Sequence, residues 1–158
     1  MFSFFSSRRD QSTVVVPGEH DFWLGFERLK TDRSVFESQG KTHSEIDLRL
    51  VDRIESLLMP ALGPWEQTSR WFHQMDYYGD GVRALMFRRD VLPRNLLPKL
   101  QQLLIGEHES FTILCTVTDQ FESPLLEAKG AREDDYLALF SDKMLVTKGL
   151  ADDLSSGA

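Results

Sequence analysis

The chain has 158 residues, of which 41% are hydrophobic and 27% are charged, and its formal net charge is −7. This length and composition are typical of one ordinary globular domain, which excludes a fibrous or wholly disordered protein. The negative net charge opposes binding to nucleic-acid phosphates or anionic lipid unless a local basic patch overrides it. The candidates for such a patch are the pairs Arg8-Arg9 and Arg88-Arg89, and an aspartate directly after each pair offsets part of its charge. We therefore expect neither nucleic acid nor a membrane as a partner.

A single cysteine, Cys115, excludes an intrachain disulfide and a thiolate cluster for zinc. A reducing compartment, the bacterial cytoplasm, is therefore the expected location. The apolar residues 1–5 are too few for a signal peptide, and the sequence contains no uncharged apolar run of membrane-spanning length.

The ends of the chain are predicted to be flexible over residues 1–12 and 151–158, around a single domain of residues 13–150. The β-branched residues 13–16 predict a short strand or extended arm. Residues 21–29 carry apolar side chains spaced by 1, 3 and 3 positions, which indicates either one face of a helix or an irregular aromatic anchor.

The first long helix is predicted to begin near Thr42, where Thr42-His43-Ser44-Glu45 matches a capping box. Apolar residues at helical spacing follow, and the cluster Pro60, Gly63 and Pro64 predicts the end of the helix. Residues 65–73 are predicted to be extended and to pack aromatic side chains on this helix.

The second half of the chain predicts a strand, a helix and a second strand in succession. Residues 79–81 predict a tight turn before a strand at 82–88, and a helix capped by Asn95 is expected to end at Gly106. A buried strand is expected at 111–117, and residues 136–140 and 144–147 predict a hairpin. The predicted fold is α+β, a mostly antiparallel sheet of four to six strands with two main helices packed on one face.

Candidate catalytic groups are few and scattered. The four histidines lack metal-binding spacing, Glu107-His108-Glu109 is interpreted as a solvated turn, and Cys115 is interpreted as a core residue. The sequence contains no nucleophile elbow and no glycine-rich phosphate loop. The sequence therefore predicts a protein that is not an enzyme and that binds no metal or cofactor.

Negative charge is concentrated in the last quarter of the chain. From residue 120 onward, eight acidic and four basic side chains give a net charge of −4. The run Glu133-Asp134-Asp135 lies immediately before the predicted hairpin, and Asp142 lies within it. Such a surface would attract a basic partner, although a charged loop retained for solubility is the alternative explanation.

The leading hypothesis is a small acidic protein-binding module that docks a basic protein, with aromatic residues beside the acidic run. The residues proposed for this surface are Glu133, Asp134, Asp135, Asp142, Trp71, Tyr77 and Tyr78, with Trp65 near them. The small size, negative charge, absence of catalytic motifs and α+β body resemble those of the immunity proteins that neutralise bacterial toxins. This resemblance is one of general profile and implies that the module occludes the basic active site of a partner.

Two alternatives remain open. The chain is alternatively a small-molecule-binding or catalytic domain with a pocket between helices and sheet, using Asp76, Asp119 or His73 at its mouth. It is otherwise a self-associating subunit, a homodimer in which the exposed edge of the C-terminal hairpin pairs across a two-fold axis.

Overall fold

The structure is a computed structural model that describes residues 13–15, 22–29, 43–68, 70–74, 81–119 and 134–156. Its strands are β1 (Thr13–Val15), β2 (Trp71–Gln74), β3 (Val82–Arg88), β4 (Thr112–Thr118), β5 (Asp135–Leu139) and β6 (Lys143–Val146). Its α-helices are α1 (Phe22–Leu29), α2 (His43–Leu62), α3 (Trp65–Thr68), α4 (Leu97–Gln102) and α5 (Lys148–Ser156).

The described strands form one mixed sheet of six strands in the order β1-β6-β5-β4-β3-β2. β2 with β3, β4 with β5 and β5 with β6 are antiparallel, whereas β1 with β6 and β3 with β4 are parallel. The parallel pair β3 and β4 is connected through α4, as a crossover connection requires. The prediction of an α+β fold with a mostly antiparallel sheet is confirmed.

The apolar side chains of the sheet belong to two hydrophobic clusters, and successive residues along a strand alternate between them. One cluster takes Leu85, Ile113 and Val117 from the sheet, together with apolar residues of α2, α4 and α5. The other takes Leu114 and neighbouring alternate residues together with the aromatic face of α1. Successive strand residues point to opposite sides of a sheet, so the two clusters lie on its two faces.

The long helix α2 forms because an apolar residue recurs every four positions. Ile46, Leu50, Ile54, Leu58 and Leu62 are all buried in the first cluster. Pro60 lies within the last turn, and the helix ends two residues later at Leu62, followed by Gly63, whose φ of 84° is in the left-handed region. The predicted end of the helix in this region is therefore confirmed, although the helix continues past Pro60.

Three predictions about local structure are wrong. Residues 65–68 form the short helix α3, so the segment 65–73 is extended only at β2. Asn95 lies within a 3-10 turn and does not cap a helix, because α4 begins at Leu97 with Pro98 in its first turn. Residues 151–156 belong to α5, because Leu150, Ala151 and Leu154 are buried against the sheet, so this part of the predicted flexible tail is structured.

Candidate functional site

Three carboxylates converge on Arg89 at one edge of the sheet. β3 and β4 are parallel with Arg88 opposite Thr118, so Arg89 and Asp119 leave the sheet at the same edge. The antiparallel strand β5 begins at this edge with Asp135. α5 follows β6 and adds Asp153. Four separate segments thus contribute charge to one place.

The geometry around Arg89 is that of a guanidinium held by charge-assisted hydrogen bonds. Its Nε donates to Asp119 Oδ1 at 2.6 Å, its Nη1 donates to Asp135 Oδ2 at 2.7 Å, and Asp153 Oδ2 lies 3.8 Å from Nη1. The hydroxyl of Thr147 donates to Asp135 Oδ1 at 2.7 Å and accepts the backbone N–H of Tyr136 at 3.1 Å. These charge-assisted bonds orient the carboxylates.

We call Asp119, Asp134, Asp135, Asp152 and Asp153, with Arg89, the acidic edge. Five carboxylates and one guanidinium give these six side chains a formal net charge of −4. Asp134 and Asp152 are exposed beside the carboxylates that contact Arg89. Among the residues that the structure describes, no group of three or more His, Cys, Asp or Glu side chains is arranged to hold a metal ion. Five carboxylates with one guanidinium make the acidic edge a source of negative electrostatic potential.

A second polar network fixes His73 between α2 and β3. Arg83 donates to His73 Nε2 from Nη2 at 3.0 Å and to Asp47 Oδ2 from Nη1 at 3.1 Å, and His73 Nδ1 lies 3.2 Å from Glu55 Oε2. Arginine only donates, so Nε2 is the acceptor and Nδ1 carries the proton that reaches Glu55. Burial lowers the pKa of His73, and the charge of Arg83 lowers it further, against the opposing effect of Glu55 and Asp47.

This network does not leave His73 available as a general base. Both ring nitrogens already have partners within the protein, and the side chain is buried. An open groove lies nearby on the outer side of α2, lined by Asp52, Glu55, Ser56, Met59, Pro60 and Pro64. It is bounded by α2 and the segment after it, not by the helices and the sheet as the small-molecule hypothesis requires.

Two other candidate residues are buried. Cys115 lies in the core as predicted, where burial raises the pKa of its thiol to about 12. The interpretation of Glu107-His108-Glu109 as a solvated turn is wrong for His108, which is fully buried with Nε2 3.0 Å from the carbonyl oxygen of Ile46. A 3-10 turn over Gly106–His108 directs this imidazole beneath α2, while Glu107 remains outside and pairs with Arg49 at 2.6 Å.

The proposed partner-binding residues do not form one surface. Trp71 is buried, because its ring packs against Phe87 and its Nε1 donates to the Gly63 carbonyl at 2.9 Å, so it is removed from the surface. Asp135 is buried against Arg89. Asp142 lies in the turn between β5 and β6, at the end of β5 opposite to Asp134.

Glu133, Tyr77 and Tyr78 lie outside the described residues. Sequence reasoning missed Arg89 as a site residue, and it missed the approach of Asp153 to Arg89, which the sheet and α5 bring about. The available signal was the position of Arg89 and Asp119 directly after two strands joined by a helix, because the ends of such a parallel pair share an edge.

An aromatic pair adjoins the acidic edge on the other face of the sheet. The rings of Trp23 on α1 and Tyr136 on β5 are 4.7 Å apart at their centroids, with an interplanar angle of 63°. Trp23 also makes edge contacts with Phe22 at 5.1 Å and with Phe26 at 5.7 Å. These contacts give Trp23 a defined position although its side chain is partly exposed.

No protein-family model matches the chain, and neither does any curated protein or solved structure. None of the helices in the described ranges is long and apolar enough to cross a bilayer. A function must therefore be inferred from the chemistry of the residues themselves.

Proposed function

We propose that this protein is a small acidic protein-binding module that docks a basic protein partner at its acidic edge. The observation that carries the proposal is the convergence of Asp119, Asp135 and Asp153 on the single guanidinium of Arg89, with Asp134 and Asp152 exposed beside them. Lys148 at the start of α5 is a further cation on the helix that carries Asp152 and Asp153, and with it included the formal net charge is −3.

A fixed cluster of like charge favours association with a surface of opposite charge and raises the rate at which the two meet. The hydrogen bonds from Arg89 and Thr147 hold the carboxylates in place before binding, so little side-chain freedom is lost when a partner docks. An inhibitor that covers the basic active site of another protein, as an immunity protein does, would use such a surface.

The alternatives have less support from the geometry. A catalytic role for His73 or Asp119 needs a group that can accept a proton, and His73 has both nitrogens committed while Asp119 accepts from Arg89. Self-association through the hairpin needs a free strand edge, and here β5 pairs with β4 while β6 pairs with β1. The C-terminal hairpin is thus interior to the sheet, and this part of the homodimer hypothesis is wrong.

The test uses heptalysine peptide as a defined basic probe, titrated calorimetrically at 20 mM and 150 mM salt. Reversing two exposed charges, Asp134→Lys with Asp152→Lys, should weaken binding about tenfold at the lower salt, since each exposed pair contributes up to about 1 kcal/mol. The matched control, Glu109→Lys with Asp142→Lys, changes the net charge equally at exposed positions elsewhere.

We expect the control pair to weaken heptalysine binding less than threefold. Equal losses in the two double variants would mean that overall charge, not the acidic edge, attracts the peptide. Absence of heptalysine binding to the native protein at the lower salt would refute the proposal outright.

A further inference from the structure

The aromatic pair Trp23 and Tyr136 is flanked by carboxylates on both of its elements. Glu27 lies four residues after Trp23 on α1, so the two side chains emerge on the same side of the helix. Asp134 precedes Tyr136 by two residues, a length of chain that spans about 7 Å at most. Both Glu27 and Asp134 are exposed.

Helix α1 exposes two large apolar side chains. The side chain of Trp23 is 38% exposed and that of Leu24 is 63% exposed, whereas Phe22 and Phe26 of the same helix are buried. Trp23 therefore offers part of its ring to solvent while three other aromatic rings, those of Phe22, Phe26 and Tyr136, hold it in place. Tryptophan is one of the side chains enriched among the residues that dominate binding energy at interfaces.

Partly exposed aromatic rings beside carboxylates are suited to binding a cationic side chain. The face of an indole or phenol ring attracts a cation, and a nearby carboxylate accepts its hydrogen bonds. Arginine fits this combination better than lysine, because its planar guanidinium stacks on aromatic rings, is less strongly hydrated and donates two parallel hydrogen bonds to one carboxylate.

We propose that Trp23, Tyr136, Glu27 and Asp134 form a docking patch for an arginine side chain of the basic protein partner. This inference rests on the proposed function, because Tyr136 directly follows Asp135 and the patch continues the acidic edge around the end of β5. The acidic edge supplies general attraction for positive charge. The patch adds a preference for arginine among the cations that arrive.

The experiment compares heptaarginine with heptalysine, two probes of equal length and charge, on the native protein and on Trp23→Ala. We expect the native protein to bind heptaarginine at least fivefold more tightly than heptalysine at 150 mM salt. In Trp23→Ala this preference should fall to less than twofold while heptalysine affinity stays within twofold. Leu24→Ala is the matched control, since it removes an adjacent exposed apolar side chain and should preserve the preference.

Two further measurements distinguish loss of the docking patch from a folding defect in Trp23→Ala. Trp23→Phe keeps a ring at this position but has a weaker attraction for cations, so it should lower the preference for heptaarginine partially. In the native protein, heptaarginine should shift the NMR signal of the Trp23 indole N–H and leave that of the buried Trp71 unchanged.

The outcomes separate the two proposals. Failure of both peptides to bind would refute the proposed function together with the patch. Binding of both peptides with an arginine preference that survives Trp23→Ala and leaves the Trp23 signal unshifted would reject the patch and leave the acidic edge standing. A native dimer in sedimentation velocity that Trp23→Ala dissociates would show that a second copy of this chain occupies the patch, which also overturns the inference.

Discussion

Substituting methionine for Arg89 is expected to destabilise the protein by roughly 3 kcal/mol. The change removes two charge-assisted hydrogen bonds of 2.6 and 2.7 Å and takes away the guanidinium on which three carboxylates converge. Hydrogen bonds to charged groups contribute about 1.5 to 3 kcal/mol each, and the removal of one partner from a buried pair costs about 3 to 5 kcal/mol. The side chains of Asp119 and Asp153 are each 30% exposed, so solvent reduces the cost toward the lower part of that range.

The assay is urea unfolding at pH 7 followed by tryptophan fluorescence, with the free energy of unfolding compared at a common slope. Arg88→Met is the matched control, because the neighbouring Arg88 also donates to an aspartate at 2.6 Å but its side chain is 36% exposed and that of Asp90 is 65% exposed. Solvent screens an exposed pair of this kind, so its loss should lower the free energy of unfolding much less than the loss of Arg89 does. Similar losses in Arg88→Met and Arg89→Met at pH 7 would contradict the assignment of Arg89 as the organising charge of the acidic edge.

Three further results are expected. Burial lowers the pKa of His73, and the charge of Arg83 lowers it further. The unfolded chain therefore binds this proton more readily, and the free energy of unfolding should fall as the pH decreases through about 6.5. His73→Gln should flatten that part of a pH series of urea unfolding curves. The thiol of Cys115, with a pKa raised to about 12, should not react with a disulfide reagent at pH 8 until urea unfolds the protein, and rapid reaction of the native form would contradict its burial. Leu150→Ala should cost about 3 kcal/mol of unfolding free energy if α5 is docked, whereas Lys148→Ala, an exposed change in the same helix, should cost less than about 0.5.

Local patterns were sufficient where one physical preference decided the structure. The alternation of β4, whose Ile113, Cys115 and Val117 all join one core cluster, follows from the two-residue period of a strand. The four-residue spacing of apolar side chains in α2 and the short connection between β5 and β6 were equally decisive. In each case the side chains that determine the element lie within the element.

The candidate site was predicted less well, because its parts are distant in sequence. Acidic residues that are neighbours along the chain suggested one surface, but the extended strand β5 separates Asp142 from Asp134 by its full length, about 17 Å at 3.4 Å per residue. Conversely, Arg89 and Asp153 are 64 positions apart and meet at one edge of the sheet. An aromatic residue such as Trp71 is apolar enough for a core and polar enough for an interface, and only packing distinguishes the two.

The sequence by itself determined the α+β class, the strands β3 and β4, the apolar face of α2 and the inert environment of Cys115, because periodicity and burial are encoded by neighbouring residues. Only the tertiary structure decided which charges meet, which aromatic residues reach the surface, and that residues 151–156 form part of a docked helix. The order of strands in the sheet sets all three, and that order depends on contacts between segments whose separation in sequence carries no local signal.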